Sequence, residues 1–560
     1  MKTHAHLLLL MLWVVIGTSL RFFHLDSLPP WTDECATMVF SLGNSFRTVP
    51  LNQLISADIL LQPLQLTSVT GISTVMQNLL QDSTHPPVYF VLAHVWMKLF
   101  SPVGEVASVF TARSLSALLG VISIPAMFCF GYLTFRSKLV GQLAAAMMAV
   151  SPYTIFLARE ARHYSLVMLL VIASLCCLVT TMHKIRRQQS LPLWLLLTWI
   201  VINGLGVATH YFFMLTLGAE GVVVLRQLWR LQNQQINWWQ LGIVALGTAI
   251  GCLVWIPNLQ NIPGSDLTSW VAASSPHSRW LEPLARLLLW LMSMLLLLPS
   301  ALTTLPLTVV ITSGVVTLVF LLWSLPQIIH GLKSYQGDAD TNLTLQILID
   351  YVLAAIALTL LLTYGLGKDL TLAARFQFFY APAVILLLGV ALASCWHEVA
   401  KSGLFTHSKV AVSIILLMAT LGGVIVTGNW GYLQNQRPDV LAAIIEKASG
   451  NNVLIATTHI HHGQTGRMMG LAWELQNQPN QNLQFFLAAQ DPNTHTYTQS
   501  QQILVQKLTQ LPRPLDLWLV EYRNPVDLVS QNCTLDKQYG SFAGEYSYKL
   551  YRCLASETSS

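Results

Sequence analysis

Residues 151–182 read SPYTIFLAREARHYSLVMLLVIASLCCLVTTM. An apolar run closes at Ala158, a charged group of Arg159, Glu160, Arg162 and His163 follows, and a second apolar run starts at Tyr164. Neither 139–157 nor 164–182 contains an Asp, Glu, Lys or Arg. Each run comes close to the roughly 20 apolar residues a helix needs to cross a hydrocarbon core. The pattern is two spans joined by a short charged turn. Charges at such a junction are costly unless they face water or one another.

The whole chain repeats this economy. Of 560 residues, 54% are hydrophobic and only 10% charged, with mean hydropathy +0.55. Soluble domains carry about 25% charged residues. Disorder, coiled coil, collagen and a basic nucleic-acid-binding domain are therefore excluded, and the formal net charge of +5 is small enough to be topological signal. Apolar windows fall at 7–24, 109–135, 139–157, 164–182, 191–208, 211–228, 240–257, 304–325, 345–365, 376–396 and 409–428. The first reads as an uncleaved anchor, since Lys2 alone precedes it and no cleavage site follows. Val88–Phe100 is too short to cross and carries His94 and Lys98, so it reads as an interfacial helix. Segment 280–299, which holds Trp280, Glu282 and Arg286 and ends at a proline, reads as in-plane or re-entrant.

The fold expected is thus an α-helical polytopic membrane protein, with about 11 transmembrane helices plus in-plane interfacial helices. Basic residues gather on cytoplasmic loops. With the N-terminus inside, those loops hold Arg136, Lys138, Lys184, Arg186, Arg187, Arg230, Lys333, Lys401 and Lys409. Segments 25–108, 158–163, 258–303 and 429–560 then face outward, with short turns at 209–210 and 366–375. Two domains are expected: a transmembrane domain over 1–428, and a small extracytoplasmic α/β domain over 429–560, where Gln and Asn separate short apolar runs. Cys533 and Cys553 lie in that domain and are able to pair in an oxidising compartment.

The candidate chemistry sits at the outer junctions. Loop 25–108 opens with Pro29-Pro30-Trp31-Thr32-Asp33-Glu34. Adjacent carboxylates suit a general base and its electrostatic partner; a solvated turn or a helix N-cap is the plainer alternative. His85 lies in Thr84-His85-Pro86-Pro87, where prolines stiffen the entry to the interfacial helix. Arg113 and Arg375 each start a span from the outer side, against the positive-inside rule. With Arg159, Arg162 and Lys368 they suggest an anionic head group held at that face. His163-Tyr164 and His210-Tyr211 border the same side.

In order, these residues resemble the GT-C superfamily of polytopic glycosyltransferases. Closest are the bacterial membrane-bound mannosyltransferase-like proteins related to protein O-mannosyltransferases and lipid A aminoarabinose transferases. The motifs are Asp33-Glu34 after the first span, His85-Pro86-Pro87, Arg113, Ser151-Pro152-Tyr153 with Arg159-Glu160-Ala161-Arg162-His163-Tyr164, Thr209-His210-Tyr211, and Arg375-Phe376 with Pro382. The resemblance covers about 1–430. It implies transfer of a sugar from a polyprenyl-phosphate donor to an acceptor hydroxyl of a lipid, glycan or protein, with inversion. Asp33 would be the base, Glu34 would tune it, and Glu160 would stand where relatives often carry a second carboxylate. Arg162 and Arg375, with Arg113 and Lys368, would meet the donor phosphate. His85, His163, Tyr164, His210 and Tyr211 would line the substrate cavity. A bacterial inner (plasma) membrane with site and tail facing outward is implied, with membrane lipids but no nucleic acid as partners. No cofactor is certain, and a divalent metal is left open.

A transporter or flippase of lipid-linked sugars is the alternative, but internal symmetry and midplane charges are not evident in the sequence. Asp338-Ala339-Asp340 resembles a D-x-D pair yet lies in an expected cytoplasmic loop. The His459, His461 and His462 group reads as a polar strand end rather than a metal site.

Overall fold

The computed structural model describes residues 3–230, 238–261, 280–300, 305–397, 408–431, 433, 436–450, 452–476, 482–526 and 528–554. Lys401 and residues 262–279 and 301–303 of the expected outer loop 258–303 lie outside the described residues. The chain divides into two compact units that do not follow chain order. One holds Met1–Leu25, Thr84–Tyr89 and Arg113–Leu433; the other holds Asp26–Ser83, Phe90–Ala112 and Gln434–Ser560.

The first unit is helical. Every apolar window of the sequence is occupied by a helix, from Thr3–Phe22 and Val109–Phe135 through Tyr164–Arg186 to Ser408–Thr427. Among the described helices six are long and apolar enough to cross a membrane, or seven if Lys138–Val150 and Pro152–Ala158 form one bent span. Leu193–Thr209, Trp238–Leu253 and Ala381–His397 are apolar but shorter. The chain is a multi-pass membrane protein. On Thr3–Phe22 the exposed large apolar residues are Leu7, Leu8, Met11, Leu12 and Val15, one helical face that a bilayer would cover.

The bent span shows how this unit handles backbone groups that a membrane cannot hydrate. Pro152 opens the second helix, where its missing N–H costs nothing, and the axis turns by 58°. The carbonyls left open at the end of Lys138–Val150 are met by fully buried Arg21, which donates from Nη2 to Met148 O at 2.8 Å and from Nη1 to Ala149 O at 3.0 Å. Thr154 Oγ1 also donates to Met148 O, at 3.0 Å.

Helix Val88–Phe100 has 13 residues and Glu282–Ser293 has 12. At about 1.5 Å rise per residue both fall well short of a hydrocarbon core of roughly 30 Å. The second is fastened by Arg286, which pairs with fully buried Asp369 at 2.5 Å and donates from Nε to Thr371 Oγ1 at 3.1 Å.

The second unit is built on a six-stranded mixed sheet. Its strands are β1 (Leu54–Ile55), β2 (Asn452–His459), β3 (Asn482–Ala489), β4 (Leu515–Val520), β5 (Cys533–Ala543) and β6 (Tyr546–Cys553), in the order β1-β3-β2-β4-β6-β5. Central β2 runs parallel to β3 and β4, with helices His462–Leu475 and Thr498–Leu508 as crossovers, as parallel pairing requires. β4 is buried along its whole length, as expected of a central strand covered on both faces. Leu454, Phe486, Leu504, Leu508 and Leu517 form its core, each contributing about 1.5–3 kcal/mol by burial. β5 and β6 form a hairpin whose turn holds Gly544 and Glu545 at φ 58° and 66°, the positive values that a tight hairpin demands. Cys533 and Cys553 face each other in that register and are joined. The edge strand β1 comes from the 25–108 segment: Leu54 and Ile55 pair antiparallel with Phe486 and Phe485.

Close packing in the first unit depends on small residues. A Cβ at Gly389 would lie 2.8 Å from Ala144 N and 2.9 Å from its Cα, so helices Ala381–His397 and Lys138–Val150 meet backbone to backbone. Gly389→Val should destabilise the protein by about 1–3 kcal/mol, the usual overpacking cost. A lowered thermal midpoint in detergent is the expected reading.

Candidate functional site

Three arginines gather at the C-terminal end of helix Thr3–Phe22. Arg159 donates from Nη1 to Phe23 O at 2.7 Å and from Nη2 to His24 O at 2.8 Å, closing carbonyls at the end of helix Thr3–Phe22, where a cation also meets the negative pole of the helix. Arg113 Nη1 donates to Leu25 O at 2.9 Å, and Arg21 lies one turn back. Arg159 and Arg113, expected among the groups facing an anionic ligand, therefore hold backbone. Arg21, which the charge reading passed over, holds the bent span.

Arg162 is placed differently. It is 2% exposed, and its Nη2 lies 3.0 Å from His85 Nε2. Its carbonyl accepts from Ser116 Oγ at 2.5 Å, and its guanidinium carbon stands 5.9 Å from the Tyr164 ring centre. His163, fully buried, packs edge-on to His210 with ring centres 4.4 Å apart and lies 5.7 Å from His85. The sequence order His85, Arg162, His163, Tyr164, His210 thus becomes one cluster in space. Glu160, 7% exposed, is in the same turn, and its carbonyl accepts from Arg162 N at 2.7 Å.

The turn Ala374–Phe379 carries Arg375 and is held at several points. Tyr153 Oη donates to Ala374 O at 3.0 Å, Tyr351 Oη to Phe379 O at 2.7 Å, and Gln377 Nε2 to Leu370 O at 2.7 Å. Phe378 of this turn lies 4.8 Å from the His210 ring, while Arg375 stacks on Phe376 at 5.3 Å. Lys368 is exposed, and Tyr211 packs toward Trp255 at 6.3 Å.

Electrostatics separate the cations from the imidazoles in this cluster. Burial pushes His163 well below the ordinary histidine range, and His210, Arg162, His85 and Arg375 push the same way. His210 is lowered by burial, then by His85, Arg162 and Arg375. At neutral pH both rings are uncharged hydrogen-bonding groups, and the arginines carry the positive charge.

The carboxylate pair lies in the other unit. Helix Thr32–Ser41 has Asp33 and Glu34 in its first turn, next to the positive helix pole. Glu34 is fully buried, and its Oε2 accepts from Trp31 N at 3.4 Å, the return contact of a capping box. Asp33 is half-buried and bears electrostatically on His462. The side chains of Asp33 and Glu34 therefore divide: one closes the helix start and the other stays partly accessible.

Two other motifs have structural work. Asp338 caps helix Ala339–Leu360 by accepting from Thr341 N at 2.9 Å, and Asp340 pairs with Arg136 at 3.1 Å and with Arg187. His461 caps helix His462–Leu475 by accepting from Gly463 N at 3.0 Å. No group of three or more His, Cys, Asp or Glu among the described residues is arranged to hold a metal ion.

Residues 96–262 match the family model of dolichyl-phosphate-mannose-protein mannosyltransferase. That segment contains Arg113, Glu160, Arg162, His163, Tyr164, His210 and Tyr211. No curated protein matches the chain by sequence. In fold it is similar to ArnT from Cupriavidus metallidurans bound to undecaprenyl phosphate, with 11% identity, TM-score 0.51 and 99% of each chain covered. The GT-C resemblance read from the sequence is borne out. The mannosyltransferase match over residues 96–262 supports a glycosyltransferase enzyme, while the likeness to ArnT bears on the fold alone. More distant GT-C likenesses are the oligosaccharyltransferase of Archaeoglobus fulgidus (13% identity, TM-score 0.47, 98% of this chain and 74% of that one) and the S. cerevisiae protein O-mannosyltransferase Pmt1-Pmt2 complex bound to the sugar donor (16%, 0.31, 45% and 32%).

Burial also sets a pH dependence in the second unit. His459 and His462 are each pushed down to about 4, chiefly by burial, against about 6.5 when unfolded. Between those values the unfolded chain binds more protons than the folded one, so stability falls as pH drops through that window. Below about 4 this contribution levels off. The thermal midpoint should decline from pH 6.5 to 4, and His462→Gln should make that decline shallower in parallel melts.

Proposed function

We propose that the protein transfers a sugar from a polyprenyl-phosphate donor to an acceptor hydroxyl at the outer face of a membrane, with inversion. The observation that carries the reading is the cluster of buried Arg162 and His163 with half-buried His85 and His210, flanked by Arg375, all but His85 and Arg375 within the segment of mannosyltransferase type. ArnT, similar in fold, binds undecaprenyl phosphate. A permanently charged guanidinium beside the neutral His163 and His210 rings is suited to a phosphate that gains charge during reaction.

In this reading Asp33 takes the proton of the acceptor hydroxyl as that oxygen bonds to the anomeric carbon from behind. The bond from that carbon to the phosphate oxygen breaks, its electron pair stays with the phosphate, and polyprenyl phosphate leaves. The lipid phosphate passes from a singly charged diester to a monoester of higher charge. Arg162 and Arg375 stabilise that increase, with Lys368 and Arg113 as outlying positive charges. Glu34 fixes the helix start that bears Asp33, and Glu160 is the second carboxylate. His85, His163, Tyr164, His210 and Tyr211 line the sugar cavity.

The topology adopted has eleven spans with the N-terminus inside, a catalytic domain over 1–428 and an extracytoplasmic domain over 429–560. It places 25–108, 158–163 and the tail outside a bacterial inner membrane. An apolar cavity of about 810 Å³, lined by Trp290, Leu295, Leu321, Val384 and Leu388 among others, suits a polyprenyl chain. The acceptor is a hydroxyl of a lipid, glycan or protein.

The test is a transfer assay with radiolabelled polyprenyl-phosphate sugar. Asp33→Asn should lower kcat about 10²–10⁴-fold, the usual contribution of a general base. Arg162→Met should lower it about 10²–10³-fold, as loss of one oxyanion donor does. Transfer by Asp33→Asn at the wild-type rate removes Asp33 as the base.

A further inference from the structure

We propose that helix His462–Leu475 is a positioning platform for the Asp33 motif, and that Arg467 is the residue that sets its orientation. The proposal rests on the reading of Asp33 as the base, and every contact it uses lies within the second unit.

The helix presents two glycines one turn apart to the start of helix Thr32–Ser41. A Cβ at Gly470 would lie 2.8 Å from Pro30 O, and one at Gly466 would lie 3.2 Å from Thr32 O. The backbone of Pro30–Thr32 therefore rests directly on the helix. Apolar contact of this kind sets distance but tolerates rotation and sliding. A polar chain on the same face removes that freedom. Arg467 Nη1 pairs with Glu521 Oε2 at 3.2 Å, and its guanidinium carbon stands 5.0 Å from the ring centre of fully buried Tyr546. With the Gln436 amide turned so that both its ends are satisfied, its oxygen accepts from Arg467 Nη2 and Nε at 2.9 and 3.0 Å and its nitrogen donates to Thr32 Oγ1. Thr32 is the first residue of the helix and Asp33 the second.

A planar guanidinium, fixed at three sites, thus ends through one amide on the residue next to the proposed base. Directional bonds of this kind specify orientation where packing does not. A displacement of about 1 Å at a reacting group costs up to roughly 10² in rate, so Arg467 governs turnover without touching the substrate. Arg467 is a positioning residue in this account.

The experiment measures donor KM, kcat and thermal midpoint for Arg467→Ala, Arg467→Lys and Gln436→Leu in the full-length protein, each alone and combined with Asp33→Asn. Arg467→Ala and Gln436→Leu should lower kcat about tenfold or more with donor KM unchanged, and Arg467→Lys should recover part of the loss. In the Asp33→Asn background the same changes should cost little further, because residues that act as a unit are not additive. Should Arg467→Ala fail to fold, Gln436→Leu cuts the same chain at its other joint and is read the same way. A wild-type kcat in these variants overturns the platform, as does a loss carried by donor KM or an undiminished loss in the Asp33→Asn background. Asp33→Asn alone reports on the base itself: a wild-type rate there removes the base, and the platform falls with it.

Discussion

A guanidinium held away from water must find acceptors within the protein, and the first unit is organised by where its arginines find them. Arg21 takes the open carbonyls of the bent span at Met148 and Ala149. Arg159 and Arg113 take those at the end of the first span, at Phe23, His24 and Leu25. Each contact satisfies a buried charge and an orphan carbonyl together, where leaving either alone costs several kcal/mol. Arg162 is set against His85 and Tyr164, in a cluster whose other members are rings.

That division gives the cluster its chemical character. A histidine beside two arginines is held neutral by burial and by their charge, so the positive potential comes from groups that do not titrate near neutral pH. Arg375 belongs to the same field through a turn fixed by Tyr153, Tyr351 and Gln377. For a phosphate whose charge rises as its bond to sugar breaks, fixed cations need little rearrangement at the moment of reaction.

Much of this was legible in the sequence, because hydrocarbon thickness imposes a length on spans and charge scarcity makes junctions visible. The helix Val88–Phe100 has the bounds its apolar run suggested. His85, His163 and His210, expected to line one cavity, lie in three separate segments of the sequence and meet in the fold. Contacts distant in sequence were not legible. Arg21 looks like the end of an anchor, and its role depends on carbonyls opened by Pro152. Leu54 and Ile55 lie in a loop by every local signal, yet pair with β3 more than 400 residues later. Asp369 falls in the expected turn 366–375, where nothing local signals its pairing with Arg286. The Arg467 chain to Thr32 has no local signature, since Gln436 and Arg467 are ordinary polar residues in a Gln-rich tail.

The central claim is that the protein breaks the bond between sugar and lipid phosphate rather than carrying the intact lipid across the membrane. Phosphorus NMR on proteoliposomes loaded with a polyprenyl-phosphate sugar and a hydroxyl acceptor tests this directly. The account predicts that a lipid phosphate monoester appears in step with glycosylated acceptor. Redistribution of the intact phosphodiester between leaflets, with no monoester formed, would contradict it.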